Sequence, residues 1–529
     1  MGFELHTTLH SDTILLHKTL NKTKIMKKLL AFTLFFGLSL VAFGQKELPE
    51  FAVTQAEVEI PLRFLSSDEM GGRRTGSAGN LLAARYIAEN LRTYGYSMAP
   101  GLNSYFQPVG FQASTPPVNA SLTLGKTEYK LKEDFIFMTG EAANLSKIDV
   151  VFAEHGWVDE KTGRDDYKGK DVKGKLVLVL PGPPDETSPQ AIFSAMAKKR
   201  DWAFEHGAVG LIELYRLSFP WNFFTSYFGN ESLRLSPKDG PKPSSKMLYG
   251  WMKEKSGISD IKDLQAGKKL KANFSSSGFS RRSIPSQNVV GILEGTDPEL
   301  KNEYVILSAH FDHVGMGKEG GNAYSKEDSI FNGARDNAMG TVALLTAAKA
   351  LSLQRPKRSI IILAVTGEEI GLLGSQYYAD NPLIPLKQCI FNLDTDGAGY
   401  NSTEHISIIG WNRTGTDALV EQAASSVNLK VFPEPAPEQN LFDRSDNVSF
   451  AVKGVPAMDF SPGLTKFDDV IAKYYHQVAD EASSVDMPYF LKYCKAYANL
   501  ARLIANNPQR PQWKAGDKYE KVGMELYKK

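Results

Sequence analysis

At 529 residues the chain is long for one domain, and ordinary domains of roughly 100–200 residues make it three or so units. Hydrophobic residues are 42% and charged residues 23%, with 44 Gly and 27 Pro, a globular composition that excludes collagen-like and low-complexity proteins. Lys plus Arg is 61 against 60 Asp plus Glu, so no basic surplus speaks for nucleic acid, and two Cys exclude a disulfide scaffold.

Met26-Lys27-Lys28 precedes an apolar run from Leu29 to Ala42, and Ala42-Phe43-Gly44 puts small residues before Gln45. This is the pattern of a secretory signal over about 26–44, with residues 1–25 an upstream extension and Met26 the natural start. The run is short of the about 20 residues a membrane span needs, so a secreted or periplasmic protein without a stable membrane anchor is expected. Residues 45–112 then form a first piece, with a helix from about Asn80 to Tyr94 stopped by Gly95. Between 113 and 285 the texture changes: Ile148–Phe152, Leu176–Leu180 and Gly210–Leu214 read as strands, Ile192–Glu205 as a helix, and 215–285 as loop-rich.

From 286 to 508 strand, loop and helix alternate. Tyr304–Ala309, Ile360–Val365 and Cys389–Leu393 are apolar on both faces, as parallel strands between helices must be, and Gly340–Leu351 and Tyr489–Ala505 read as helices. The expectation is an α/β fold with a mainly parallel central sheet flanked by helices, interrupted by a second domain at 113–285 and closed by a tail at 509–529. Cys389 and Cys494 fall on buried patterns and read as two buried thiols, although export would permit a disulfide between them.

Two phosphate-binding patterns fail on context. Gly169 to Lys175 spells G-x-x-x-x-G-K, but Leu176 and an apolar strand follow where a hydroxyl and a helix are needed; Gly315, Gly317 and Gly320 precede no helix. What carries chemistry is the placement of His and carboxylates. His310 and Asp312, Glu368 and Glu369, and Asp394 and Asp396 each sit at the carboxyl end of a strand, where ligands bind in open α/β sheets. Singly, a strand-end Asp reads as a turn residue, Glu368-Glu369 as a solvated loop pair and His310 as a satisfied core histidine. Together they crowd carboxylates that disfavour one another's charge, and one or two divalent metals resolve that conflict.

Five segments, in order, resemble the co-catalytic zinc exopeptidase family of bacterial leucyl aminopeptidases and glutamate carboxypeptidase II. They are Ala309-His310-Phe311-Asp312, Gly333-Ala334-Arg335-Asp336-Asn337-Ala338, Thr366-Gly367-Glu368-Glu369, Asn392-Leu393-Asp394-Thr395-Asp396-Gly397 and Tyr475-His476-Gln477-Val478-Ala479-Asp480. The resemblance implies two Zn²⁺ per chain, one on His310 and Asp394, the other on Glu369 and His476, with Asp336 bridging. It implies Glu368 as general base, Asp312 orienting His310, and Tyr475 polarising the scissile carbonyl. Arg335 and His313 depart from the pattern of many relatives. Gly174–Val179 and Ala203–Gly210 resemble a β-rich protease-associated domain, implying such an insert. The expected activity is a zinc aminopeptidase acting on peptides. A carboxypeptidase or dipeptidase, a glutaminyl cyclase and a non-catalytic binding protein are the alternatives, and the oligomeric state is open.

Overall fold

The computed structural model describes residues 53–237, 240, 242–255 and 259–528, so the 26–44 segment lies outside the described residues. Two large sheets dominate. The first has ten strands in the order Ser232–Leu235, Phe106–Thr115, Ser280–Leu293, Ser359–Val365, Tyr304–His310, Cys389–Asp394, Ala457–Pro462, His405–Ile409, Lys430–Pro433, with Ser97–Met98 paired beside Ser280–Leu293. Its four central strands, from Ser359–Val365 to Ala457–Pro462, run parallel and are buried along almost their whole length. Leu, Ile and Val fill both faces there because helices cover both. On one side Ile306, Ile361 and Leu363 pack with Tyr378 and Phe450 from the short helices Leu373–Asp380 and Asn447–Ala451. The other side is covered by Met339–Leu353 and Met487–Asn506, tied down by Thr341 Oγ1 to the His310 carbonyl (2.8 Å) and Tyr497 Oη to the Leu393 carbonyl (2.9 Å).

The sheet is mixed rather than parallel throughout. Phe106–Thr115 and Ser280–Leu293 form a long antiparallel ribbon along one edge. Val109, Phe111 and Ala113 are buried while Pro108 and Gly110 are exposed, an alternation that an antiparallel strand with one covered face permits.

The second sheet has eight strands and lies entirely between Ala120 and Ser276. Leu176–Val179 and Gly210–Leu214 are its parallel centre, fully buried between two apolar clusters. The stretch 215–285, read as loop-rich, also holds the helix Trp221–Phe228 and the strands Leu248–Met252 and Leu270–Ser276. The Lys, Ser and Pro clusters between these elements hid the short strands. Cys389 and Cys494 are both buried free thiols.

Candidate metal centre

The parallel register brings the site together. His310 is level with Val365, so Thr366, Gly367, Glu368 and Glu369 continue past it at the same end of the sheet. Ser308 is level with Asp394, so the residue level with His310 is Asp396, two positions further on. Asp336 arrives from the loop before the helix Met339–Leu353. Gly333 makes that turn at φ 60°, where a Cβ would collide with the His313 ring at 2.5 Å. The Asp336–Asn337 peptide is cis.

Asp336 splits its carboxylate between two clusters. Oδ1 lies 3.5 Å from His310 Nε2, and Oδ2 lies 3.2 Å from His476 Nε2. On the first side His310 Nε2 is also 3.1 Å from Asp396 Oδ1. On the second, His476 Nε2 is 3.1 Å from Glu369 Oε2, and His313 Nδ1 is 2.7 Å from Glu369 Oε1. The groups His310, Asp336, Asp396 and His313, Asp336, Glu369 each gather one donor atom per residue within 4.8 Å. Imidazole and carboxylate in threes, sharing one carboxylate, fit a pair of zinc-like divalent ions.

Of the two carboxylates at this strand end, Asp394 accepts hydrogen bonds from Ser308 Oγ (2.5 Å) and Ser445 Oγ (3.0 Å), whereas Asp396 Oδ1 lies 3.1 Å from His310 Nε2. Asp394 is the last residue of its strand, and Asp396, two positions on and level with His310, lies past the strand end in the cleft. Burial raises the Asp394 carboxyl to about 7, and Asp396 adds to the rise. Asp396 is held below the usual carboxylate range, because His310 outweighs its burial.

Asp312 is fully buried, with Oδ2 accepting from Thr75 Oγ1 at 2.8 Å and Oδ1 from the Glu368 amide at 3.3 Å. His310 Nδ1 lies nearer the Asp312 carbonyl (3.2 Å) than its carboxylate (3.8 Å), so backbone and side chain of this residue both face the ring. Burial pushes the Glu368 carboxyl well above its ordinary range; His310 opposes that, while Asp396 and Glu369 reinforce it. Glu369 is held well below the range despite burial, by His313 and His476. Glu368, Asp396, Arg444, Tyr475 and His476 open onto one cleft, and the Tyr475 ring stacks on His476 at 4.1 Å.

Three supports were not singled out as site residues from sequence. Buried Arg73 donates to the carbonyls of Leu65, Phe311, Asn332 and Gly333, cross-linking the loops that carry His313 and Asp336. Asp480 accepts from the amides of Arg335 (2.9 Å) and Asp336 (3.1 Å). Arg335 lies between the rings of Tyr400 (4.4 Å) and Tyr474 (3.8 Å), joining the Asp336 loop to the segment bearing His476. The His-Phe-Asp-His spacing that brings His313 beside Glu369 was the available signal for that residue. His155, His206 and His405 bond to local groups away from both clusters.

Residues 288–501 match the model of Peptidase family M28. An aminopeptidase from Aneurinibacillus sp. strain AM-1 has a similar fold, with a TM-score of 0.55 and 20% identity over 88% of this chain and 97% of its own. The vacuolar membrane protease of Saccharomyces cerevisiae (strain ATCC 204508 / S288c) is 38% identical over 125 residues, 23% of this chain and 11% of that protein. That of Lachancea thermotolerans is 26% identical over 239 residues, 44% of this chain and 22% of that protein. The chain thus spans between about a tenth and a quarter of the length of these curated relatives.

These relatives overturn the expectation of a secreted or periplasmic protein, since they are proteases of a vacuolar membrane. A basic pair before an apolar run favours insertion into a membrane but does not specify which compartment receives the protein. Among the described residues no helix is long and apolar enough to cross a membrane. The segment 288–501, which matches the model of Peptidase family M28, carries every residue of both clusters and all five sequence motifs.

Proposed function

We propose that this protein is a two-zinc aminopeptidase. The observation that carries the reading is the Asp336 carboxylate, one oxygen turned to His310 and the other to His476. His310 and Asp396 would hold one zinc, Glu369 and His476 the other, with Asp336 between them and His313 fixing Glu369 from behind. Bound zinc supplies Lewis acidity and an acidified water, pKa near 7 rather than 15.7. Glu368, buried beside both clusters, takes the proton of the attacking water and delivers it to the leaving amine. Tyr475, across the cleft, donates its hydroxyl proton in a hydrogen bond to the carbonyl oxygen as charge develops there. Asp312 keeps the His310 ring oriented, the role of a carboxylate behind a metal-binding imidazole.

Ile409, Leu441, Leu464 and Phe467 form the apolar side of the cleft and accept an apolar side chain. The stretch 113–285 is read as an inserted protease-associated domain beside the peptidase unit. The test compares hydrolysis of leucine amide with N-acetyl-leucine amide, before and after dialysis against chelator. Release from the free amine alone, lost with chelator and restored by zinc, is expected. Equal cleavage of the acetylated compound, or peptides shortened from the carboxyl end, would move the reading to a carboxypeptidase.

A further inference from the structure

A cavity of about 930 Å³ lies between the helices Pro189–Glu205 and Trp221–Phe228 and the antiparallel ribbon built on Phe106–Thr115 and Ser280–Leu293. None of the residues assigned above to zinc or to catalysis lines it. Its size falls within the range of small-molecule sites, roughly 300–1,000 Å³.

The two walls differ in chemistry. The helical wall presents Phe193, Met196, Phe223, Tyr227 and Phe228. Phe193 and Phe228 pack at 5.3 Å, yet Phe223 and Tyr227 remain 62% and 74% exposed. Large rings left in water on one short helix, at the mouth of a cavity, are an apolar surface awaiting cover. Arg200 is on the helix Pro189–Glu205, while the facing wall and rim carry Arg234, Lys242 and Arg281, and no carboxylate lines the cavity among the described residues. Arg200 and Lys242 share Asp201. Arg281 reaches only the Ser245 carbonyl, at 3.2 Å, and Arg234 has no carboxylate within ion-pair distance among the described residues. Clustered cations with too few counter-charges raise the local potential for an anion.

We propose that this cavity binds a monoanionic amphipath, a hydrocarbon body with one terminal carboxylate. The body lies on the aromatic wall and the carboxylate meets Arg234 and Arg281. Segregation decides the class: apolar groups on one wall and uncompensated cations on the other match a molecule charged at one end. A peptide would bring an ammonium, for which the described lining has no acid.

The experiment is calorimetric titration of the full-length protein with sodium decanoate below its micellar concentration, with decanol and decyltrimethylammonium as matched neutral and cationic probes. Saturable binding of one decanoate per chain is expected, with decanol weaker and the cation not bound. Arg234→Gln with Arg281→Gln should weaken decanoate binding roughly tenfold or more, as for lost charge-assisted hydrogen bonds. Phe223→Ser, at an exposed position, should weaken decanoate and decanol alike. Zinc content and peptidase rate should stay at wild-type values in these variants, which separates this site from the metal centre. Decanol binding as tightly as decanoate, an unchanged affinity in the double arginine variant, or saturable binding only of a phenylalanyl peptide amide would each overturn the proposal.

Discussion

Replacing Glu368 by Gln separates proton transfer from metal binding. The amide has the shape of the carboxylate, and the Glu368 backbone amide still donates to Asp312 Oδ1. None of the contacts that join Asp336 to His310 and His476, or Glu369 to His313, passes through the Glu368 side chain. Both metal clusters should therefore remain filled. What disappears is the acceptor for the water's proton, typically 10²–10⁴-fold in rate, equivalent to ~3–5.5 kcal/mol of barrier at 1.36 kcal/mol per decade. The loss belongs to kcat, because the substrate's ground-state contacts are unchanged. Glu369→Gln fails in another way. It removes the charge opposite His313 (2.7 Å) and His476 (3.1 Å), so about one zinc should leave and excess zinc should recover part of the rate. Elemental zinc analysis beside steady-state kinetics reads both variants. A Glu368→Gln enzyme with normal zinc and a near-normal kcat would refute the assignment of the base.

Asp396→Asn should lower zinc occupancy at the His310 side, whereas Asp394→Asn, which keeps the Ser308 and Ser445 neighbours, should cost only the roughly 10–100-fold in metal affinity seen for supporting residues; competition with a chromogenic chelator ranks the two. In the second sheet Lys199 and Glu213 form a fully buried pair at 2.5 Å, with Tyr249 Oη donating to the other Glu213 oxygen at 2.6 Å. Lys199→Met strands that carboxylate and should destabilise by about 3–5 kcal/mol, while adding Glu213→Leu should recover most of it; urea unfolding followed by tryptophan fluorescence gives both numbers. Glu303 sits between Arg358 and Arg510, both at 2.7 Å, and although burial alone would raise its carboxyl, the two guanidiniums hold it below the usual range. Its contribution is present above the ordinary glutamate value and is lost as pH falls through the lowered one, so Glu303→Gln should reduce the steepness of acid unfolding measured by circular dichroism.

The central strands were readable because they are buried on both faces: Ile360–Val365 is apolar without interruption, and the structure extends it by only Ser359. The antiparallel ribbon was less so. Phe106–Thr115 mixes Gln, Pro and Gly into its exposed face, and nothing local says that it pairs with Ser280–Leu293, far along the chain. At the metal centre the residue types and their strand-end positions were legible, since the chemistry restricts them to His and carboxylate. The choice between Asp394 and Asp396 was not, because it depends on the register between two strands, a tertiary fact. Arg73 was hidden for a similar reason: its role is to bind four carbonyls, and backbone acceptors leave no side-chain pattern to read.

The central claim is a pair of metals sharing Asp336, and anomalous diffraction at the zinc edge from crystals of the zinc-loaded protein tests it most directly. Two peaks are expected, one touching His310 and Asp396, the other Glu369 and His476, with the Asp336 carboxylate between them at the ~2.0–2.2 Å zinc–oxygen distance. A single peak, or a peak that takes Asp394 in place of Asp396, would contradict the account.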